Sequence, residues 1–221
     1  SWAASITVAL GAIVALAGTS VVGAEAEAPS IIVPDELVVT PSQPEGPFYP
    51  LKRPDDHDAA LVNVAGQDRR AAGVPLRLDG LVLTADGQPV EGAVVEIWQT
   101  DSAGIYLHPD DPGVAARDEA FAGYGESVAD ADGAWSFLTI LPEVYGSRPR
   151  HIHAKVVLDD ETLLTTQIYF SGGDIPVDGA VALTGGDDDA LIVEATGHLA
   201  EDGSRELRAQ HLLVVADLDR P

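Results

Sequence analysis

The stretch YGSRPRHIH, residues 145–153, concentrates side chains that bind metal ions. The chain contains only six histidines and five tyrosines, yet Tyr145, His151 and His153 fall together here. Residues i and i+2 of a β-strand point to the same face, so the two histidines can hold one metal ion between them. An isolated H-x-H pair is just as typical of an exposed strand, and the neighbouring residues therefore decide its meaning.

Those neighbours favour a hard, highly charged metal ion. The guanidinium of Arg148 disfavours protonation of the two imidazoles and so keeps them competent as ligands, and it could also face an anionic substrate. Tyrosinate, which Tyr145 can supply, suits a trivalent cation better than zinc. No Asp or Glu occurs between residues 149 and 158, so a two-histidine, one-carboxylate site would need a carboxylate from elsewhere.

A second tyrosine is needed to balance a ferric charge, and DSAGIYLHPD, residues 101–110, contains one at Tyr106. It follows an apolar segment that ends near residue 99. Taken alone, this tyrosine is more typical of a turn aromatic that caps a core. His108, two residues later, is more typical of a loop residue than of a metal ligand.

Short apolar segments separated by Gly/Asp turns must position these residues. Their spacing predicts an all-β fold, a β-sandwich of mostly antiparallel strands with long active-site loops. Residues 76–101 are predicted to form a β-hairpin with its turn at ADGQP, residues 85–89. Further strands are predicted within residues 130–140, 150–160, 162–170, 189–197 and 206–217.

Composition excludes several classes of partner and site. Asp and Glu number 36 against 12 Lys and Arg, a net charge of -24, which repels nucleic acid and anionic membranes. The chain has no cysteine, so disulfides, thiolate metal sites and cysteine nucleophiles are excluded. We expect a small-molecule substrate; composition does not define the oligomeric state.

The amino-terminal segment predicts export. Residues 1–25 are apolar and carry no charge before Glu25, which is typical of a signal peptide or a membrane anchor. Residues 26–40 are predicted to be a linker and residues 41–221 the folded domain. The domain is accordingly expected outside the cytoplasm, as a secreted, periplasmic or cell-surface protein.

Several separate stretches resemble the intradiol ring-cleavage dioxygenases, and they occur in that family's order. They are TPSQPEGPFYP, DGLVLTADGQPVEGAVVEIWQTDSAGIY, DADGAWSFLTILP, YGSRPRHIH and TTQIYF, which together span most of residues 40–175. The loop between Tyr145 and the histidines is short, and Ser147 stands where protocatechuate-type members carry a tryptophan. The pattern is more similar to the compact, secreted branch of the family.

The resemblance implies a non-haem ferric enzyme that cleaves a catechol with O2 between its two hydroxyls to a cis,cis-muconate-type diacid. It implies that Tyr145 takes up a catechol proton and that Arg148 stabilises negative charge developing on the ring. The iron ligands it implies are Tyr106, Tyr145, His151 and His153; the residues matching the family's substrate pocket are Gln167, Tyr169, Gly46, Pro47 and Tyr49.

Two other interpretations remain open from the residues. A cupin-like metal enzyme would use the H-x-H pair with a further Glu and His, and neither tyrosine. A non-catalytic secreted β-sandwich, a binding or carrier module, would explain the segment DGQPVEGAVVEIW but not the combination of tyrosines, arginine and histidines.

Overall fold

The computed structural model describes residues 31–173, 188–200, 202–216 and 218, and within them it confirms the all-β prediction. This part of the chain contains no α-helix, only two 3-10 turns at Val114–Ala116 and Asp188–Leu191. Its strands are β1 Pro75–Thr84, β2 Val94–Trp98, β3 Tyr124–Val128, β4 Ala134–Ile140, β5 His151–Leu158, β6 Glu161–Gly173, β7 Ile192–Leu199 and β8 Arg205–Val215.

The strands form one continuous eight-stranded sheet in the order β3-β2-β5-β6-β7-β8-β1-β4. Two neighbouring pairs are parallel, β1–β8 and β6–β7, and the remaining pairs are antiparallel. The two end strands approach each other where the Ser136 backbone N–H donates to Ser127 Oγ at 3.2 Å. The sheet therefore curls almost into a barrel.

The predicted hairpin of residues 76–101 is wrong in its pairing, although its turn is correct. Thr84 N–H bonds the carbonyl of Gln88 at 2.8 Å, and Leu83 bridges to Pro89. The Gly92 N–H then bonds the carbonyl of Ala129, so the chain crosses to the other half of the sheet. There β2 pairs with β3 and β5, while β1 pairs with β4 and β8.

The strands predicted around the histidines and at the carboxyl end are confirmed. β5 and β6 are antiparallel, joined by a tight turn in which Asp159 and Asp160 have φ of 51° and 64°. Aspartate tolerates this left-handed conformation, which two-residue hairpin turns require. Their register places Tyr169 opposite His151 and Gln167 opposite His153.

The two faces of the sheet have different covers. One face packs into a hydrophobic core that unites both halves of the sheet; from β5 it takes Ile152, Ala154 and Val156. The opposite face of β5 carries His151 and His153, and both are buried as well. Residues 41–49, here called the covering arm, pass β6, where Gln43 N–H bonds Thr165 O, and continue over this second face, where Gln167 donates to the carbonyl of Pro44 and Gly46 lies against His153.

The predicted segment 1–25 and the first part of the predicted linker, residues 26–30, lie outside the described residues. Residues 31–40 have no regular secondary structure, and Thr40 hydrogen-bonds Val214 of β8 in both directions. Over the described ranges, none of the helical segments has the length and hydropathy needed to cross a membrane. The boundaries proposed for signal or anchor, linker and domain stay predictions.

Candidate metal centre

Three separate parts of the chain bring the four predicted metal ligands together. β5 carries His151 and His153, the β2–β3 connection carries Tyr106, and the β4–β5 connection carries Tyr145. The rings of the two histidines have centroids 4.9 Å apart, and the ring of Tyr106 lies 6.0 Å from that of His153. Residues far apart in sequence thus meet at one end of the sheet.

Among the four predicted ligands, a direct polar contact joins Tyr106 to His151. The tyrosine oxygen lies 3.0 Å from Nε2 of the imidazole, whose Nδ1 lies 2.7 Å from the carbonyl oxygen of Pro149. Because a carbonyl only accepts hydrogen bonds, Nδ1 carries the proton and the Nε2 lone pair faces the phenol. This is the tautomer that a metal ligand bound through Nε2 requires.

His153 is held by stacking on an aromatic ring. Trp98, its cross-strand neighbour on β2, lies 4.8 Å away at an interplanar angle of 10°. Within the described part of the chain, its buried Nδ1 has no hydrogen-bond partner. Unpaired buried polar atoms are uncommon and costly, and this nitrogen is one of five such side-chain atoms among the described residues.

Tyr145 completes the group through its ring. It lies edge-on to Tyr106 at 5.2 Å and to Phe48 of the covering arm at 5.3 Å, and Phe48 also stacks on Tyr106 at 4.8 Å. The Arg148 N–H bonds the carbonyl of Tyr145, which closes a tight turn just before β5. The turn explains how tyrosine, arginine and histidines of one short segment face a common point.

Burial sets the protonation states of the cluster. It lowers the pKa of His151 to about 4 and that of His153 to about 2, and the Arg148 charge acts in the same direction. Burial also raises the pKa of Tyr106 above its usual value, which the Arg148 charge partly offsets. The imidazoles are therefore neutral near pH 7, as predicted, although burial contributes more to this than the arginine does.

Arg148 is fixed by the two pocket residues predicted beside it. Its Nη2 donates to Gln167 Oε1 at 2.7 Å and to Tyr169 Oη at 3.0 Å, and Tyr169 Oη donates to the same amide oxygen at 2.9 Å. Gln167 in turn donates through Nε2 to the carbonyl of Pro44 in the covering arm at 2.7 Å. The structure thus gives both residues a contact with the guanidinium.

The predicted pocket residues of the covering arm fall at different places. Gly46 lies against His153; a Cβ atom there would meet Cε1 of the imidazole at 3.2 Å. Pro47 is exposed. Tyr49 lies behind the site, edge-on to Trp98 at 5.0 Å, and its hydroxyl donates to Glu96 at 2.7 Å.

The connection that carries Tyr106 is held by a buried carboxylate that sequence reasoning missed. Asp111 accepts the backbone N–H of Tyr106 at 3.0 Å and that of Gly113 at 2.7 Å. Asp101 does the same at the start of the connection, where it accepts the N–H groups of Ala103 and Ile105. Aspartates that bond backbone N–H groups are a known turn signal, and the run DDPG could have indicated this one.

Phe48 and Trp98 were also missed as residues of the site. Phe48 lies within GPFY, whose other three residues are the predicted pocket residues of the covering arm, and Trp98 could have been found from the alternation of β2. His108 follows the loop interpretation in part: its Nδ1 accepts the N–H of Asp110 at 3.1 Å. Its buried Nε2 has no hydrogen-bond partner within the described ranges.

The donor set fits ferric iron better than zinc. Two neutral imidazoles and two phenols, which become anionic on binding, match a hard trivalent cation. The described residues contain no group of three or more His, Asp or Glu side chains able to hold a metal ion. A cupin-like centre needs such a group and is not favoured.

Comparison with known proteins agrees with the fold and the site. A family model described as "Dioxygenase" matches residues 44–213. The protocatechuate 3,4-dioxygenase beta chain of Burkholderia cepacia is 33% identical over 168 residues, covering 65% of this chain and 71% of the relative. The catechol 1,2-dioxygenase of Acinetobacter baylyi is 32% identical over 177 residues, covering 72% of this chain and 54% of the relative.

A solved structure is also similar to this chain, over that structure's whole length. The dioxygenase domain of a dioxygenase carbohydrate-binding protein fusion from Streptomyces sp. SirexAA-E is 30% identical with a TM-score of 0.56, and the match covers 81% of this chain and all of that one. The all-β scaffold and the match over residues 44–213 define a dioxygenase. More narrowly, the chain belongs to the intradiol ring-cleavage dioxygenase family.

Proposed function

We propose that this protein is a non-haem ferric dioxygenase that cleaves a catechol-type ring between its two hydroxyls with O2 to a cis,cis-muconate-type diacid. The observation that carries the proposal is the 3.0 Å contact between Tyr106 Oη and His151 Nε2, with His153 and Tyr145 around it. Family membership supports the reaction class. The chain spans about half the length of the catechol relatives it matches, so activity and substrate are part of the proposal.

Four side chains are proposed to hold the iron: Tyr106, Tyr145, His151 and His153. Ferric iron bound by them would act as a Lewis acid that lowers the pKa of coordinated phenols and prepares the aromatic substrate for reaction with O2. Its positive charge would favour the deprotonated phenols of Tyr106 and Tyr145, whose pKa burial raises in the metal-free protein.

Two side chains are proposed to act on the substrate. Tyr145 Oη takes up a proton when the catechol binds, since its ring lies at the edge of the cluster and only part of it is buried. Arg148 stabilises negative charge that develops on the ring, because Gln167 and Tyr169 hold its guanidinium in a fixed direction before the substrate arrives.

Spectroscopy of the iron-loaded protein tests the ligand set directly. Tyrosinate bound to ferric iron absorbs visible light by charge transfer, and we expect such a band, its loss on chelation, and a shift when catechol is added without oxygen. Tyr106→Phe should weaken the band and iron binding together. A colourless iron-loaded protein would contradict the proposal.

Tyr124→Phe provides the matched control. Tyr124 is buried, and its hydroxyl donates to Glu126 at 2.7 Å, outside the proposed ligand set. The substitution removes a buried phenol of the same size, so it should leave the charge-transfer band in place. Equal loss of colour in Tyr106→Phe and Tyr124→Phe would assign the effect to general destabilisation.

The two alternative functions are not favoured. A carrier module gives no reason for the buried nitrogen of His153, which is unpaired among the described residues, or for the fixed guanidinium of Arg148.

Export remains our proposal from the apolar segment 1–25 alone. Amino-terminal sequencing of the protein from medium, periplasm and membrane fractions tests it, and recovery in the cytoplasm alone would refute it.

A further inference from the structure

The geometry points to an uncharged catechol as the preferred substrate, with the Arg150–Glu143 ion pair excluding catechols that carry a carboxylate. This inference deepens the proposed function and rests on it. The matched relatives do not decide the point, because one is named for protocatechuate and another for catechol at nearly equal identity.

A carboxylate buried beside the site needs a cationic partner. Arg150 directly precedes His151, but its Nη2 lies 2.7 Å from Glu143 Oε1, and only 12% of its side chain is exposed. Lys155 lies further along β5, 2.7 Å from Glu45 Oε2, with its ammonium over the ring of Tyr49. Both cations are already neutralised by carboxylates of this chain.

Arg148 lies at the end of the substrate that carries the two hydroxyls. Its guanidinium is held by Gln167 and Tyr169. The β5–β6 register places these two residues opposite His153 and His151, so the guanidinium lies beside the proposed ligands, where the catechol hydroxyls would bind. Negative charge on those oxygens and on the tyrosinates uses this guanidinium. It is not available to a carboxylate attached to the far side of the ring.

The remaining electrostatics also disfavour an anion. The Asp111 carboxylate accepts the backbone N–H of Tyr106 at 3.0 Å, so a negatively charged side chain lies beside one of the proposed ligands. The net charge of the chain is -24, so an anionic substrate is repelled at long range as well.

A pair of substrates separates charge from size. 3,4-Dihydroxybenzoate and its methyl ester differ in charge, and the neutral ester is the larger, so steric exclusion would disfavour the ester. We expect kcat/KM for the ester to exceed that for the acid by about 100-fold, because an unpartnered carboxylate costs several kcal/mol. Equal or faster cleavage of the acid would overturn the inference.

Removing the negative charge of Glu143 tests the role of the ion pair. Glu143→Gln keeps the oxygen that accepts the Val144 N–H but removes the charge, and it should raise the acid-to-ester ratio about tenfold. Glu206→Gln, which releases Arg208 from a 3.0 Å pair on β8, is the matched control and should leave the ratio unchanged. An unchanged ratio in Glu143→Gln refutes the role of the pair.

Failure of the proposed function gives a different result. If catechol, the acid and the ester all remain uncleaved by protein that carries iron, the dioxygenase proposal itself fails. If catechol and the acid are cleaved equally well, the dioxygenase proposal stands and only the substrate inference fails.

Discussion

Asp111 offers a severe test of how the site is assembled, because it never touches the proposed metal. Only 3% of the residue is exposed, and its carboxylate accepts two backbone N–H groups, those of Tyr106 and Gly113. Substitution by asparagine keeps the shape of the side chain. It leaves only one oxygen for two donors and turns an amide NH2 toward the other.

The expected loss follows from this count. A hydrogen bond to a charged acceptor contributes about 1.5–3 kcal/mol, and a buried donor left without an acceptor costs about 1–3 kcal/mol. We therefore expect Asp111→Asn to lower the free energy of unfolding of the metal-free protein by about 2–4 kcal/mol. Iron affinity should fall too, because the backbone of Tyr106 is no longer held.

Urea unfolding of the metal-free protein, together with iron titration followed by the tyrosinate band, measures both effects. Asp110→Asn is the matched control: the same chemical change is made one residue earlier, on a side chain that is 82% exposed. It should alter the unfolding free energy by less than about 0.5 kcal/mol. If Asp111→Asn and Asp110→Asn unfold alike, the carboxylate does not hold the connection, and our account of Tyr106 is wrong.

Further substitutions test other parts of the structure. Gly46→Ala and Gly66→Ala should each lower the free energy of unfolding by about 1–2 kcal/mol, since both glycines have positive φ. Only Gly46→Ala should weaken iron binding, because its Cβ would press on His153. Equal iron affinity in the two variants would contradict this. Tyr169→Phe should lower kcat about tenfold while the charge-transfer band persists, since the guanidinium loses one of its two acceptors; an unchanged kcat would refute that role. Burial lowers the pKa of His211 to about 4, so its contribution to stability is full above pH 6.5 and is lost at about 1.4 kcal/mol per pH unit as the pH falls from 6.5 to 4. His211→Leu should flatten that acid decline in urea unfolding of the metal-free protein, and an equally steep decline would show that His211 does not cause it.

Local patterns predicted those parts of the fold that depend on neighbouring residues. The turn at residues 85–89, the β5–β6 hairpin and the pairing of β7 with β8 are local, and alternation and turn residues specify them. β3 was missed because YGESV is short and contains glycine and glutamate, which strands disfavour. The partner of β1 could not be predicted, because its parallel pairing with β8 joins strands from opposite ends of the domain.

The candidate site was partly predictable for a similar reason. His151 and His153 share a face by strand geometry alone, and Arg148 and Tyr145 join them through one turn. Tyr106 was identified by family resemblance, since only the tertiary fold brings it within 3.0 Å of His151. Contacts of this kind depend on how distant segments pack, which no local pattern encodes.

The placement of the tyrosines separates function from packing. The main hydrophobic core of the described residues contains phenylalanine and tryptophan but no tyrosine, whereas all five tyrosines of the chain lie on the face of the sheet that carries the two histidines or in the segments that cover it. Tyrosine rings can pack in any hydrophobic core, but a buried tyrosine hydroxyl requires a polar partner. Four of the five hydroxyls have such a partner in the structure: those of Tyr49, Tyr106, Tyr124 and Tyr169. Among the described residues, the fifth hydroxyl, that of Tyr145, makes no such hydrogen bond. The proposed mechanism requires this hydroxyl to exchange a proton, so the tyrosine without such a contact in the described part of the chain is the one expected to change its bonding during turnover.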